Sequence, residues 1–215
     1  MEAATPAPPP PPPPPPPEGA PSAGGNGAYP VRIEAENQGD YNRFLPLIKW
    51  LLALPHYIVL VFLGIGALVV GLIAFFAVLF TGRYPRGMFD YMVGVFRWAF
   101  RVTAYVLLLT DRYPPFSLED DPSYPARLEV DYPEHVERWR PLVAWLLIIP
   151  YYIVAYFLII VAEFVAFIGV FVILFTAKLP EGLFNLILNP LRWSIRSQTY
   201  GYWMVTKYPP FDWED

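Results

Sequence analysis

The stretch Tyr29-Pro30-Val31-Arg32-Ile33-Glu34 returns about 95 residues later as Tyr124-Pro125-Ala126-Arg127-Leu128-Glu129. These two stretches open a long internal repeat, in which roughly 37 of about 92 aligned positions are identical, a level that chance does not give. Two further signatures return at the same spacing, Leu79-Phe80-Thr81 as Leu174-Phe175-Thr176 and Tyr113-Pro114-Pro115-Phe116 as Tyr208-Pro209-Pro210-Phe211. We therefore predict one structural unit used twice, as repeat 1 at residues 29–120 and repeat 2 at residues 124–215.

The composition predicts an apolar environment. Hydrophobic residues make up 55% of the chain and charged residues 16%, whereas about a quarter of a soluble domain is charged. The run from Leu51 to Phe80 contains no Asp, Glu, Lys or Arg and a single histidine, His56, and the only charged residue in the run from Leu142 to Phe175 is Glu163. Both exceed the about 20 residues that cross a hydrocarbon core. We expect an all-α, multi-pass protein of the cytoplasmic membrane.

Several function classes find no support in the sequence. The net charge is −4 and the chain has no cysteine, which argues against nucleic-acid binding, disulfides and thiolate metal sites. No phosphate-binding loop, dinucleotide fingerprint, zinc-protease motif or serine-hydrolase elbow is present. We therefore predict a non-enzymatic protein without cofactor or metal, whose partners are membrane lipids or other membrane-protein subunits.

Residues 1–28 form a proline-rich tail with an unbroken proline run from Pro8 to Pro17. Such a segment cannot bury apolar surface, so we predict disorder, with the proline run in a polyproline II conformation. A solvated spacer is favoured over a ligand for an aromatic groove, because no Arg or Lys flanks the run. The tail also lacks the basic and apolar regions of a signal peptide.

Each repeat is expected to begin with a short strand outside the membrane. Apolar and charged residues alternate over Tyr29–Glu36 and again over Tyr124–Asp131, which is the period of a half-buried strand. The two strands can pair with each other if they lie on the same side of the membrane. A long transmembrane helix follows at about residues 45–81 and 140–176, and Pro55 and Pro150 should kink it.

A tight turn at residues 82–87 and 177–182 leads to a second helix in each repeat, at 88–110 and 183–205, which ends before the Tyr-Pro-Pro-Phe loop. Whether this second helix crosses the membrane or lies at its interface stays open. We favour four membrane-inserted helices, since this arrangement places both strands on one side.

A polar stripe on the second helix is the candidate functional feature. Arg97, Arg101 and Tyr105 follow the spacing i, i+4, i+8, and therefore share one face. Arg192, Arg196 and Tyr200 repeat the pattern. An arginine at membrane depth costs roughly 2.5–3.5 kcal/mol on insertion scales, so each of these needs an anion, water or the interface.

Three interpretations of the stripe compete. The arginines can satisfy internal acids and loop carbonyls and hold the repeats together, with Asp90, Glu163 and the terminal acids as partners. They can grip lipid phosphates from an interfacial helix. They can also line a path for an anionic solute, which gives a small transporter or channel as the alternative function. The first interpretation carries the most weight and the third the least.

Two single residues also stand out. Glu163 is an intramembrane acid, which is a functional hypothesis by default, although it can equally face an arginine of the second helix. His56 opens the first apolar run, and its counterpart is Tyr151. An aromatic residue with a polar tip at the interface is favoured there over a metal or proton role.

The motif set resembles a family of bacterial membrane proteins, domain of unknown function 4389. The resemblance rests on Trp50–His56, Leu79–Gly87, the Arg97-Trp98 pair with Arg101 and Tyr105, and Asp111–Phe116, and it covers both copies over residues 29–215. Repeat 2 departs from the pattern at Tyr151, Ala177 and Leu179. The resemblance implies a membrane context and supplies no catalytic residues.

Overall fold

The computed structural model describes residues 29–212. The predictions for the proline-rich tail and for the last three residues lie outside this range. The described chain is mostly helical, with two tandem regions of the same element order. In chain order the elements are β1 Val31–Ala35, α1 Leu45–Leu52, α2 Leu54–Thr81, α3 Arg86–Val106, β2 Ala126–Val130, α4 Arg140–Leu147, α5 Ile149–Thr176 and α6 Glu181–Gly201.

The two predicted strands pair with each other in an antiparallel two-stranded sheet, with Ile33 opposite Leu128 at the centre. Ile33 and Leu128 are fully buried, and they lie on the face that packs on the helices. The alternate residues form the outer face, where Arg32 contacts Glu129 at 3.1 Å and Arg127 contacts the same carboxylate at 3.0 Å. One face of the sheet is therefore apolar and the other is polar.

Reciprocal contacts relate the repeats by a pseudo-two-fold axis through the sheet. The Tyr41 amide donates to the Ala177 carbonyl at 2.8 Å, and the Val136 amide, at the matching position, donates to the Gly82 carbonyl at 3.0 Å. Each turn between a long helix and a second helix is thus bound by the segment that follows the strand of the other repeat. The local two-fold axis of an antiparallel strand pair is perpendicular to the sheet and passes between the two strands. Both strands are therefore perpendicular to this axis.

The long helix of each repeat is interrupted close to the proline at which a kink was predicted. The breaks lie at Ala53 and Ile148, two residues before Pro55 and Pro150. Helix α1 ends at Leu52 and α2 begins at Leu54, with Pro55 in its first turn, where no amide donor is needed. The amides of Ala53 and Tyr57 still bond to carbonyls four residues back, at 2.9 and 3.1 Å. Helical hydrogen bonding therefore continues through the break between α1 and α2. Ala53 keeps a right-handed conformation there.

The second helices are shorter at their C-terminal ends than predicted. Helix α3 ends at Val106, because Leu108 adopts a positive φ of 69°. Trp203 repeats this at φ 60° after α6. At the helical period, Leu108 and Trp203 would share the face of the polar stripe. Their positive φ places them outside the helices and removes them from that face.

Two helical stretches, Leu45–Thr81 and Ile149–Thr176, are long and apolar enough to cross a membrane. Only 17% and 28% of their most apolar windows are buried, whereas the core helix of a soluble protein is mostly buried. Their outward faces carry large exposed side chains such as Phe62 (69%), Phe80 (69%) and Phe175 (74%). Helices α3 and α6 instead lie between this layer and the sheet.

Candidate functional site

The polar stripe of α3 and α6 faces the sheet. Arg97 Nε donates to the Leu128 carbonyl at 3.2 Å, and Arg192 Nε donates to the Ile33 carbonyl at 3.0 Å. Each arginine therefore binds the central residue of the strand that belongs to the other repeat. Edge carbonyls of a two-stranded sheet have no ladder partner, and the guanidinium groups satisfy two of them.

Arg101 lies one turn further along α3 and is fully buried. Its closest acid is Asp120, at 3.8 Å, and the same carboxylate lies 3.5 Å from Arg97 and 3.6 Å from Arg127. None of the three Arg101 nitrogens has a hydrogen bond among the described residues. The guanidinium instead lies 5.7 Å from the Tyr124 ring, so Arg101 is held by charge and ring contacts.

These contacts are of the kind that the first interpretation requires. The acid is Asp120, one of the acids that end repeat 1, and neither Asp90 nor Glu163. In repeat 2, Arg196 is also buried, at 3% exposure, and its guanidinium lies 5.5 Å from the Tyr29 ring. Tyr29 is the counterpart of Tyr124. Both repeats therefore place the second arginine against the tyrosine that precedes the other repeat's strand.

The third stripe position holds Tyr105 and Tyr200, and a cation packs on each ring. Lys49 Nζ lies 4.9 Å from the Tyr105 ring centre, and the Arg140 guanidinium lies 5.4 Å from that of Tyr200. The two cations do not occupy matching positions, because the counterparts of Lys49 and Arg140 are Ala144 and Leu45. They differ by one helical turn. Neither cation was predicted to contact the stripe. The difference is nevertheless visible when the two repeats are aligned, because a cation and an apolar residue are exchanged between two positions four residues apart.

The partners of these cations also differ. Lys49 Nζ contacts the Asp111 carboxylate at 2.8 Å and donates to the Thr110 carbonyl at 2.7 Å. Arg140 contacts Glu137 at 2.7 Å, within the same turn. The side chain of Asp111 is 15% exposed and that of Glu137 is 43% exposed. The repeat 1 ion pair is therefore far more shielded from water.

His56 lies in an aromatic cluster and is fully buried. Trp98 Nε1 donates to His56 Nδ1 at 3.0 Å, and the Phe116 ring stacks on the imidazole at 3.9 Å. Tyr151 takes this place in repeat 2, where Trp193 stacks on it at 4.7 Å. His56 is thus a packed residue whose acceptor nitrogen accepts a hydrogen bond from a tryptophan. The interface position expected for it stays a prediction.

Burial and hydrogen bonding shift the pKa values of several ionisable groups near the sheet and just before α4. Burial raises the pKa of Tyr124 and of Tyr29 well above the ordinary value, although a neighbouring arginine opposes the shift in each. Hydrogen bonds from Ser123 lower the pKa of the Asp121 carboxyl, and the hydrogen bond from Arg140 lowers the pKa of Glu137. Both tyrosines therefore stay neutral and both acids stay charged near neutral pH.

Glu163 lies apart from the arginines. It is exposed on α5, and no ion pair or hydrogen bond joins it to another described residue. It lines a cavity of about 360 Å³ between α3 and α6, together with Thr103, Ser194 and Gln198. The structure thus brings Arg97, Arg101, Arg192 and Arg196 together at the sheet and separates Glu163 from them.

A family model described as Domain of unknown function (DUF4389) matches residues 46–117 and 138–212. The chain belongs to this family. Both matched ranges contain the long helix, the second helix and the Tyr-Pro-Pro-Phe loop, so the chain carries two tandem DUF4389 copies. Strands β1 and β2 lie outside the matched ranges. No curated protein and no solved structure matches the chain.

Proposed function

We propose that this DUF4389 protein is a non-enzymatic, lipid-interacting protein of the cytoplasmic membrane, with an accessory or structural role. The observation that carries the proposal is the one-sided distribution of apolar surface. Helices α1, α2, α4 and α5 expose large hydrophobic side chains, whereas the opposite side of the molecule is the salt-bridged face of the sheet. Exposed apolar surface of this extent is typical of contact with lipid.

The contacts at the two ends of α2 indicate how it lies relative to the sheet. The Leu52 carbonyl accepts from Tyr113, and the carbonyl of the adjacent Arg112 accepts from Tyr124, just before β2. At the other end, Gly82 bonds to Val136, just after β2. Helix α2 is about 42 Å long, and an extended chain from residue 124 to 136 reaches about 40 Å. We infer that α2 runs alongside β2, with α3 between them.

This arrangement favours helices that lie along the membrane. Helices α2 and α5 then rest in one leaflet with their apolar faces toward the acyl chains, and the sheet faces water. In the expected multi-pass arrangement, the turns after α2 and α5 lie on the opposite side of the membrane from the strands. The hydrogen bond between Gly82 and Val136 joins the turn after α2 to the segment after β2. Contacts of this kind instead favour turns and strands that lie on the same side of the membrane.

Single-cysteine labelling tests the proposal, since the chain has no native cysteine. We would place cysteine at Arg83 and Lys178 in the two turns and at Glu34 on the sheet, all exposed. In sealed vesicles of known orientation, a membrane-impermeant maleimide should label all three sites from one side. Labelling of Arg83→Cys and Lys178→Cys only from the opposite side would establish a multi-pass protein. Recovery of the chain in the soluble fraction without detergent would refute the membrane proposal.

The transporter alternative requires the arginine stripes to line a solute path. The contacts of Arg97 and Arg192 with strand carbonyls give these side chains structural partners instead. In liposomes, we expect no flux of phosphate or chloride above that of empty liposomes. Flux that Arg97→Ala and Arg192→Ala abolish would establish the transporter and displace the accessory role.

A further inference from the structure

The cavity that Glu163 lines lies on the pseudo-two-fold axis, on the far side of α3 from the sheet. Its apolar wall uses matching positions of the two repeats, Phe96 with Leu191 and Phe100 with Ile195. At about 100° per residue, this face of α3 points away from Arg97. A volume of about 360 Å³ falls in the range of small-molecule sites. The cavity is therefore separate from the arginine network.

A second cavity adjoins the first. It measures about 410 Å³ and lies between α4, α5 and the C-terminal half of α6, with Trp145, Tyr152 and Tyr202 among its lining residues. Gln198 lines both cavities. The shared Gln198 places the two mostly apolar cavities end to end along α6, and we refer to the pair as the groove. Its lining residues Trp145 and Tyr152 are exposed, so it opens on the same side of the molecule as the exposed faces of α4 and α5. An elongated apolar groove fits a long alkyl chain.

Among the described residues, Glu163 is the only charged one that lines the groove. Its neighbours on α5 are exposed and apolar, namely Ile160 at 46%, Phe164 at 63% and Phe167 at 61%. A carboxylate in such surroundings is costly beside hydrocarbon unless a cation or donor pairs with it. No described residue supplies that partner, and the counterpart in repeat 1 is Leu68. The acid is therefore a feature of repeat 2 alone, and it lies where a ligand in the groove can contact it.

We propose that this groove binds a long-chain amphiphile with an ammonium headgroup. The proposal rests on the membrane location proposed above. The ammonium lies against Glu163 with Ser194 and Thr103 as further acceptors, and the chain passes Gln198 toward Trp145. Ammonium suits the site because it donates several hydrogen bonds and neutralises the carboxylate.

Native mass spectrometry of the full chain in dodecyl maltoside micelles tests this, with dodecylamine, dodecanol and dodecanoate as probes. We expect dodecylamine to bind about tenfold more tightly than dodecanol, as for one charge-assisted hydrogen bond, and dodecanoate to bind least. Glu163→Gln should remove the preference for amine and leave the affinity for dodecanol unchanged. Glu163→Leu, which copies the residue of repeat 1, should do the same.

Two controls make the result decisive. Glu134→Gln removes an exposed acid outside the groove and should keep the amine preference. Ser194→Phe fills the first cavity and should weaken all three probes. An amine preference that survives Glu163→Gln, or the absence of any preference in the unaltered chain, would overturn the proposal. Neither result would change the maleimide labelling pattern, so failure here is distinct from failure of the proposed membrane arrangement.

Discussion

The two repeats solve one packing problem with different side chains. Each must place a cation over the stripe tyrosine where the long helix begins, and repeat 1 does so with Lys49 whereas repeat 2 does so with Arg140 from one turn earlier. In repeat 1 the ion pair with Asp111 is nearly buried, and in repeat 2 the ion pair with Glu137 is partly exposed. The fold therefore constrains the position of the charge over the ring, and leaves open which residue supplies it.

The aromatic clusters around His56 and Tyr151 also keep one residue in common and differ in its partner. Trp98 donates to a buried side-chain acceptor, His56 Nδ1, whereas Trp193 donates to the backbone carbonyl of Asp212, an exposed residue, in a part-buried hydrogen bond of 3.1 Å. The tryptophan is common to both repeats, and its hydrogen-bond acceptor is not. Equal substitutions in the two repeats should therefore have unequal effects.

The largest contrast is expected at the two cations. Lys49→Ala leaves the shielded Asp111 carboxylate without a cation and with the Asn42 amide as its remaining donor. The change should lower the free energy of unfolding by about 3–5 kcal/mol. Arg140→Ala should cost only about 1 kcal/mol, because water reaches Glu137. Chemical unfolding in detergent micelles measures both. The double variant Lys49→Ala with Leu45→Arg copies the repeat 2 arrangement and should recover part of the loss; equal costs for the two single variants would break the comparison.

The next contrast concerns the tryptophans. Trp98→Phe removes the donor to His56 Nδ1 and leaves a buried acceptor unpaired, which should cost about 1–3 kcal/mol beyond the loss of ring volume. Trp193→Phe removes the same atoms but frees a carbonyl in a part-buried contact on an exposed residue, so this extra cost should be smaller than in repeat 1. Thermal unfolding of the two variants side by side gives the difference, in which the volume term cancels. A larger loss from Trp193→Phe would contradict the assignment of acceptors.

The helix ends after α2 and α5 give a smaller effect. Gly82 has a φ of 70°, and an added Cβ would lie 2.8 Å from His135 Cε1, so Gly82→Ala should cost about 1–2 kcal/mol. Ala177 already carries a Cβ at φ 56°. Ala177→Gly relieves that strain but loosens the unfolded chain, so it should change stability by less than about 0.5 kcal/mol. Calorimetry of both variants checks this, and a destabilised Ala177→Gly protein would argue against strain at that turn.

The smallest effect is a pH dependence carried by repeat 2. Because the hydrogen bond from Arg140 lowers the pKa of Glu137, the folded state binds fewer protons at this site than the unfolded state. The stabilisation is complete above the ordinary glutamate pKa of about 4.3 and is lost as pH falls through the lowered value. Since Glu137 is partly exposed, we expect less than about 1 kcal/mol. Unfolding curves at pH 7 and pH 3 should show a smaller difference for Glu137→Gln than for the unaltered chain, and an unchanged difference would refute the assignment.

Local patterns predicted much of this architecture. The alternation around Ile33 and Leu128 predicted the strands, and the prolines predicted the kinks, because both signals depend on neighbours in sequence. The spacing of Arg97 and Arg101 placed them on one helical face for the same reason. Which of the candidate acids pairs with the arginines was not predictable, because an acid in a loop can reach several arginines and only the path of the chain selects Asp120.

The positions of Leu108 and Trp203 show the limit of periodicity. The helical period keeps both residues on the stripe, and nothing in their side chains signals the left-handed conformation that ends each helix. Leu108 is nearly fully buried, and its side chain lies against Gly169 of the other repeat. A contact with a residue so distant in sequence can stabilise a backbone state that local propensity disfavours.

The sequence alone determined that a single apolar unit occurs twice, with a strand, a kinked helix and an arginine-bearing helix in each copy. Only the tertiary structure decided that the copies exchange partners, so that Arg97 binds the strand of repeat 2 and Arg192 the strand of repeat 1. The physical reason is that the local pattern is the same whether an arginine binds the strand of its own repeat or that of the other repeat. A strand of five residues is marginal without a partner, and the partner that it finds depends on how the whole chain returns on itself.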